Sequence, residues 1–256
     1  MQLIDSHTHL YLPEFDDDRD EVIERAIDRG VTKMLLPNID KDSVEPMLQL
    51  TVDYPGICFP MIGAHPTSIK DDYKEHLKAI HDNIKRYKFI AIGEIGIDLY
   101  RDKTYIREQK EAFTEQLRIA GREKLPVVIH TRESHDIILR LLDDAGIPDL
   151  RGVFHAFTGD HGQAREIIER GFLIGIGGIL TFRNSSLDKT LEMIDMEHII
   201  LETDSPFLAP VPKRGKRNES SYIRYIAEKL SEIKKLPLEE IAGISTSNCN
   251  NLFKLY

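Results

Sequence analysis

Eight short apolar runs, alternating with segments of helical character, fill a chain of 256 residues and together predict an α/β fold, a closed (β/α)8 TIM barrel. Runs this apolar belong in parallel strands that are covered on both faces. The ionisable residues that interrupt them fall toward their C-terminal ends, on the rim where such a barrel builds its active site.

In order, the runs are residues 3–9, 33–39, 58–65, 89–96, 126–132, 152–158, 172–178 and 199–207. Each has strand length and is bounded by polar or turn residues. Helical spacing occupies segments between them, among these 19–29, 72–86, 105–123, 134–145, 162–169 and 187–194. Gly30, Gly146 and Gly171 follow three of these segments, the residue type suited to the left-handed turn that stops a helix. After the eighth run come an amphipathic helix at 220–233 and a short helical tail from Pro237. No linker-like stretch breaks the series, so residues 1–256 are expected to form one barrel domain.

With 41% hydrophobic and 30% charged residues the chain can bury an ordinary globular core. Its apolar stretches stay far below the ~20 residues that span a bilayer, and no basic region followed by an apolar segment opens it. Cys58 and Cys249 are too far apart for a CxxC site and too few for a disulfide framework. A cytoplasmic protein with no membrane partner and no evident obligate protein partner is expected. A net charge of −9 argues against coating DNA through bulk basicity. It leaves room for an enzyme that handles phosphates singly, because divalent cations reverse the local charge of an acidic pocket.

The stretch DSHTHL puts His7 and His9 two residues apart on an extended segment, where both side chains share a face and suit a divalent metal. His65, Glu94, His130, His155 and Asp204 fall in or at the ends of later strands. Singly, each suits a hydrogen-bonded rim position. Jointly they would leave a desolvated polar ring, costly unless a cation joins its members.

These residues sit in motifs that resemble the TatD family of metal-dependent deoxyribonucleases, within the amidohydrolase-like superfamily of (β/α)8 barrels. The resemblance runs in order through DSHTHL, GAHPTS, IGEIGIDLYRD, LPVVIHTRES, GVFHAFTGD, LETDSPFLAP and KRGKRNES, covering essentially the whole chain. It implies His7, His9, Glu94, His130, His155 and Asp204 as metal ligands, and a Mg2+-dependent nuclease that trims DNA from the 3′ end. Two departures stand near substrate: Thr67 where the family commonly has a second histidine, and Leu99-Tyr100 where it often has two tyrosines.

On this frame two divalent ions are expected to share Glu94, with His7, His9 and Asp204 serving one and His130 and His155 the other. Mg2+ suits the carboxylates and phosphate in the cell, and Zn2+ or Mn2+ suits a histidine-rich site in preparation. A metal-activated water would attack the phosphodiester, with Asp204 its proton acceptor and Glu94 the second catalytic carboxylate. Glu202, two residues before Asp204, is read either as a hydrogen-bond partner of a ligand histidine or as a barrel-interior salt bridge. His65, Arg132, Arg214, Lys216 and Arg217 are the expected substrate contacts, although a basic run such as KRGKR is commonly a solvated loop. Tyr100, Phe157, Phe182 and Phe207 suit either base stacking or core packing. The alternative activity is a small-molecule amidohydrolase splitting a lactone, amide or phosphotriester on the same metals. A carboxylated lysine often bridges such metals, whereas this chain offers Glu94.

Overall fold

The computed structural model describes residues 1–100 and 102–255; Arg101 of the IGEIGIDLYRD motif and Tyr256 lie outside them. Among the described residues, eight parallel strands form two arcs. The first holds β1 (Leu3–Asp5), β2 (Val31–Pro37) and β3 (Cys58–Met61). The second holds β4 (Ile92–Asp98), β5 (Val127–Arg132), β6 (Gly152–Phe154), β7 (Leu173–Ile176) and β8 (Ile199–Leu201). Backbone hydrogen bonds join the arcs at both seams. Ile62 and Gly93 donate to Ala91 and Ile62 beside β3 and β4, while Ser6 and His9 donate to Leu201 and Ser205 beside β8 and β1.

The helices are α1 (Arg19–Asp28), α2 (Val44–Asp53), α3 (Tyr73–Ile84), α4 (Ile106–Glu123), α5 (His135–Ala145), α6 (His161–Glu169), α7 (Leu187–Glu192), α8 (Ile223–Lys234) and α9 (Leu238–Phe253). Gly30, Gly146 and Gly171 have φ of 88°, 56° and 80°, the left-handed geometry their positions predicted. Helix α6 starts at a capping box: Asp160 Oδ1 accepts the Gln163 N–H while Gln163 Oε1 accepts that of Asp160. None of the helices is long and apolar enough to cross a membrane among the described residues.

Period-two alternation sets the barrel interior in layers. Val128, Val153 and Ile200 are buried in its lower part, packed with Ile4, Leu35, Met61 and Ala91. Helix α9 and the residue after it close this end with Cys249, Leu252, Phe253 and Leu255. Two residues beyond Val128, Val153 and Ile200 stand His130, His155 and Glu202, so the apolar floor places the polar layer above it.

The observed strands are shorter than several apolar runs. Residues 6–9 and 202–207 leave the regular ladder and face each other through Thr8 and Ser205, whose hydroxyls lie 2.5 Å apart. This divergence turns two strand ends into a loop-built cup.

Candidate metal centre

Glu94, 2% exposed, is the hub of the cup. Its Oε2 lies 3.1 Å from His7 Nε2 and 3.8 Å from His9 Nε2. Asp204 Oδ1 completes that side, 3.5 Å from His9 Nε2 and 3.8 Å from His7 Nε2. On the other side Oε1 lies 2.7 Å from His155 Nε2, 2.9 Å from His130 Nδ1 and 3.2 Å from His65 Nε2. One carboxylate thus faces two groups of nitrogens, each through its own oxygen. The His7 and His155 rings stack with centroids 3.9 Å apart, closing the gap between the groups.

Local backbone delivers these side chains. Asp204 adopts φ 57°, a left-handed conformation that aspartate tolerates better than bulkier residues, and donates its N–H to the His7 carbonyl. Gly96, with φ 154°, lets β4 approach β5: a Cβ there would meet the His130 carbonyl oxygen at 1.9 Å. At Gly175 a Cβ would come within 2.3 Å of Glu202 Oε2, so this glycine makes room for a carboxylate inside the barrel.

The far nitrogens decide what each ring offers the centre. His9 Nδ1 lies 3.1 Å from the Pro37 carbonyl and 3.0 Å from the Tyr11 oxygen, and the Tyr11 hydroxyl itself donates to that carbonyl at 2.6 Å. Both neighbours accept, so His9 Nδ1 carries a proton and Nε2 is turned to the carboxylates. His130 has Asp98 Oδ2 3.0 Å from Nε2 and turns Nδ1 to Glu94. Glu202 Oε1 lies 3.3 Å from His155 Nδ1 and accepts the Ala156 N–H at 2.6 Å. These are the outer partners that orient metal-binding histidines.

Charge follows from the same contacts. Burial alone would raise the Glu94 carboxyl, but His155, His65 and His7 and the hydrogen bond with His130 hold it well below the usual carboxylate range. Asp204 is likewise lowered against the effect of burial, by its hydrogen bond with His9 and by His155 and His7. Burial opposes charge on His155, yet Glu94 and Glu202 outweigh it and raise its pKa well above the ordinary value. His130 is raised against burial by Asp98 and Glu94. His7 is lowered, chiefly by burial and then by His155.

Imidazole nitrogens and ionised carboxylates converge here, a donor set that fits divalent cations once protons give way to them. His7, His9 and Glu94 form one group able to hold an ion, His7, His155 and Asp204 another, and His65, Glu94 and His130 a third. A cavity of about 840 Å³ opens above them, lined also by Lys70, Asp98, Tyr105, Arg132 and Phe207.

Sequence reasoning placed His65 among substrate contacts, and it stands within reach of the ligand atoms. Arg132 lines the cavity, its guanidinium 3.7 Å from the Tyr100 ring centroid. The basic loop stands apart from the cavity. Arg217, expected at phosphate, pairs with Asp18 at 2.7 Å, donates to the Glu14 carbonyl and lies over the Phe15 ring. Its charge is spent fastening the loop to the segment before α1. Arg214 lies over Phe182, and neither it nor exposed Lys216 lines the cavity. Phe157 is buried, whereas Phe207 is 45% exposed at the mouth.

Asp98, Tyr11 and Asp5 were missed. Asp98 was lost by ending the fourth strand at Gly96; two more residues of alternation would have shown it beside His130. Asp5 accepts from the Thr203 N–H and hydroxyl at 2.9 and 2.6 Å, tying β1 to the turn that carries Asp204. Burial pushes its carboxyl up to about 7 against those bonds.

A barrel rim carrying this donor set defines a metal-dependent hydrolase. The model of the family described as TatD related DNase matches residues 4–254, and the chain belongs to that family. It is 37% identical over 254 residues to YabD of Bacillus subtilis, named an uncharacterized metal-dependent hydrolase, covering 99% of each chain. It is 32% identical over 260 residues to the 3′-5′ ssDNA/RNA exonuclease TatD of Salmonella typhimurium, again covering 99% of each. The crystal structure of the TatD homolog YjjV from Escherichia coli K12 superposes with a TM-score of 0.92 at 29% identity, covering 98% of both chains.

Proposed function

We propose that this hydrolase cleaves phosphodiester bonds of nucleic acid, DNA foremost, removing nucleotides from the 3′ end in the cytoplasm, and that the whole chain acts as one catalytic barrel. The observation that carries the reading is the division of donors between the two oxygens of Glu94. It supports two divalent ions: His7, His9, Asp204 and Glu94 would hold one, and His130, His155 and Glu94 the other. Mg2+ is the cellular ion on this reading, with Zn2+ and Mn2+ able to replace it. When bound, such ions polarise a phosphoryl group and lower the pKa of water.

The chain's own residues do the rest. Arg132 and Lys70 on the cavity wall bind non-bridging phosphate oxygens, and the Tyr100 ring keeps the Arg132 guanidinium in place. Asp204, ionised and mostly buried, accepts the proton of the attacking water. Glu202 and Asp98 keep His155 and His130 aimed at the centre.

The relative named as an ssDNA/RNA exonuclease, similar along its full length, supports this substrate class. The test is digestion of end-labelled single-stranded DNA and RNA with Mg2+, Mn2+ or Zn2+, beside a lactone and a bis-aryl phosphate. Stepwise shortening from the 3′ end is expected. Turnover of the small substrates with intact oligonucleotides would replace the nuclease with a small-molecule amidohydrolase.

A further inference from the structure

His65 differs from its neighbours at the far nitrogen. His9 and His130 have acceptors behind them, the Pro37 carbonyl and the Asp98 carboxylate. His65 has donors. Its Nδ1 accepts the backbone N–H of Thr67 at 3.2 Å, and the Thr67 hydroxyl stands 2.7 Å away. A backbone N–H can only donate, so Nδ1 must present its lone pair, and the Thr67 hydroxyl at that distance must donate as well. The ring proton of neutral His65 therefore lies on Nε2, the nitrogen that faces the centre 3.2 Å from Glu94 Oε1 and 3.3 Å from His130 Nδ1.

Such a ring could ligate a cation through Nε2 only by losing its last proton. We propose that His65 is not a metal ligand but a fixed Nε2–H donor to a phosphoryl oxygen of the substrate, and that Thr67 is the positioning residue that sets this tautomer. The substrate part rests on the phosphodiesterase reading above; the exclusion of His65 from the ligands does not. The side chain is 13% exposed, and His65, Pro66 and Thr67 all line the cavity, so the N–H is within reach of an anion. A short 3-10 turn at Pro66–Ser68 rigidifies the segment, with the His65 ring as its cap.

Three measurements on the full-length protein test the proposal. In the metal-free protein labelled with 15N-histidine, the His65 signals, assigned by their absence from His65→Gln, should show the proton on Nε2; a proton on Nδ1 would overturn the tautomer. Mn2+ content and affinity should match wild type in His65→Ala and fall in His130→Ala, used as the positive control. Loss of an ion equivalent from His65→Ala would make His65 a ligand. With Mn2+ bound, inorganic phosphate should bind His65→Ala at least about tenfold more weakly, as expected for one hydrogen bond to a charged group. His65→Gln, which keeps an N–H near the same place, should recover part of that loss, and unchanged phosphate affinity in both variants would remove the donor role. Oligonucleotides left uncut by wild-type protein while all three results hold would defeat the nuclease reading and leave His65 as a phosphate donor.

Discussion

Around Glu94 Oε2 stand His7, His9 and Asp204, all from the seam where β8 meets β1; around Oε1 stand His65, His130 and His155, from three separate strand ends. The residue types are alike, but their backing is not. His9 leans on a backbone carbonyl, which carries no net charge, while His130 and His155 face the carboxylates of Asp98 and Glu202. Those carboxylates raise the pKa of the second pair, whereas burial lowers that of His7. A cation entering the Oε1 side would compete with protons held by His130 and His155, whereas on the Oε2 side the His7 pKa is lowered.

The most severe way to break this comparison is to remove the residue both sides share. On the proposed two-ion nuclease reading, Glu94→Gln should reduce bound metal from two ions to fewer than one, and lower oligonucleotide turnover beyond the ~10–100-fold typical of losing an outer partner. Metal analysis of the purified variant checks it. Two ions retained at wild-type affinity would show that Glu94 bridges nothing.

Next in size is Asp204→Asn, which alters only the Oε2 side. Turnover should fall by the ~10²–10⁴-fold expected for a positioned general base. Metal-free thermal stability should fall modestly at neutral pH, because the lowered carboxyl pKa means that the Asp204 charge stabilises the fold, and a variant that still folds keeps the assay readable. Mn2+ should stabilise wild type more than the variant, since a ligand selective for the folded state acts by mass action. Melting curves with and without Mn2+ decide between a catalytic and a structural residue.

Proton competition sharpens the contrast between the two sides. His155 and His130 have raised pKa values in the metal-free fold, so their stabilising charge is complete below the ordinary histidine pKa and is lost as pH rises through the folded values. Deprotonation frees the same nitrogens, so ion affinity at the Oε1 side should increase with pH across that window. At the Oε2 side the lowered His7 is already neutral there, and affinity should change less. Calorimetric titration with Mn2+ at several pH values should resolve two sites of different pH slope; parallel slopes would contradict the assignment. Asp98→Asn and Glu202→Gln should each weaken the Oε1 site alone, by ~10–100-fold.

Much of this centre could be read from the sequence because each ligand type follows an apolar run. His130, His155 and Glu202 stand two residues beyond a floor residue, so strand periodicity finds the position and the residue type names the chemistry. What could not be read is the second nitrogen of each ring. The Pro37 carbonyl behind His9 and Glu202 behind His155 are 28 and 47 residues away in sequence, contacts that only barrel closure creates. The partner of Arg217 was illegible for the same reason, since Asp18 lies 199 positions earlier and no local pattern joins them.

The smallest expected effect follows from that last pair. Arg217 and Asp18 are each about one-third exposed, so their ion pair contributes about 0–1 kcal/mol to stability, and Arg217→Ala should lower the melting temperature only slightly. Its guanidinium already has an anionic partner, and phosphate would have to displace Asp18 to reach it. Oligonucleotide affinity in Arg217→Ala should therefore keep the wild-type dependence on salt. Arg132, stacked on Tyr100 and in no ion pair among the described residues, lines the cavity, so Arg132→Ala should make the slope of log affinity against log salt shallower by about 1, the loss of one phosphate contact. Equal changes in both variants would return the KRGKR loop to the substrate path. A slope that moves only with Arg132 keeps polyanion binding on the β5 side of the mouth, next to the histidines backed by carboxylates.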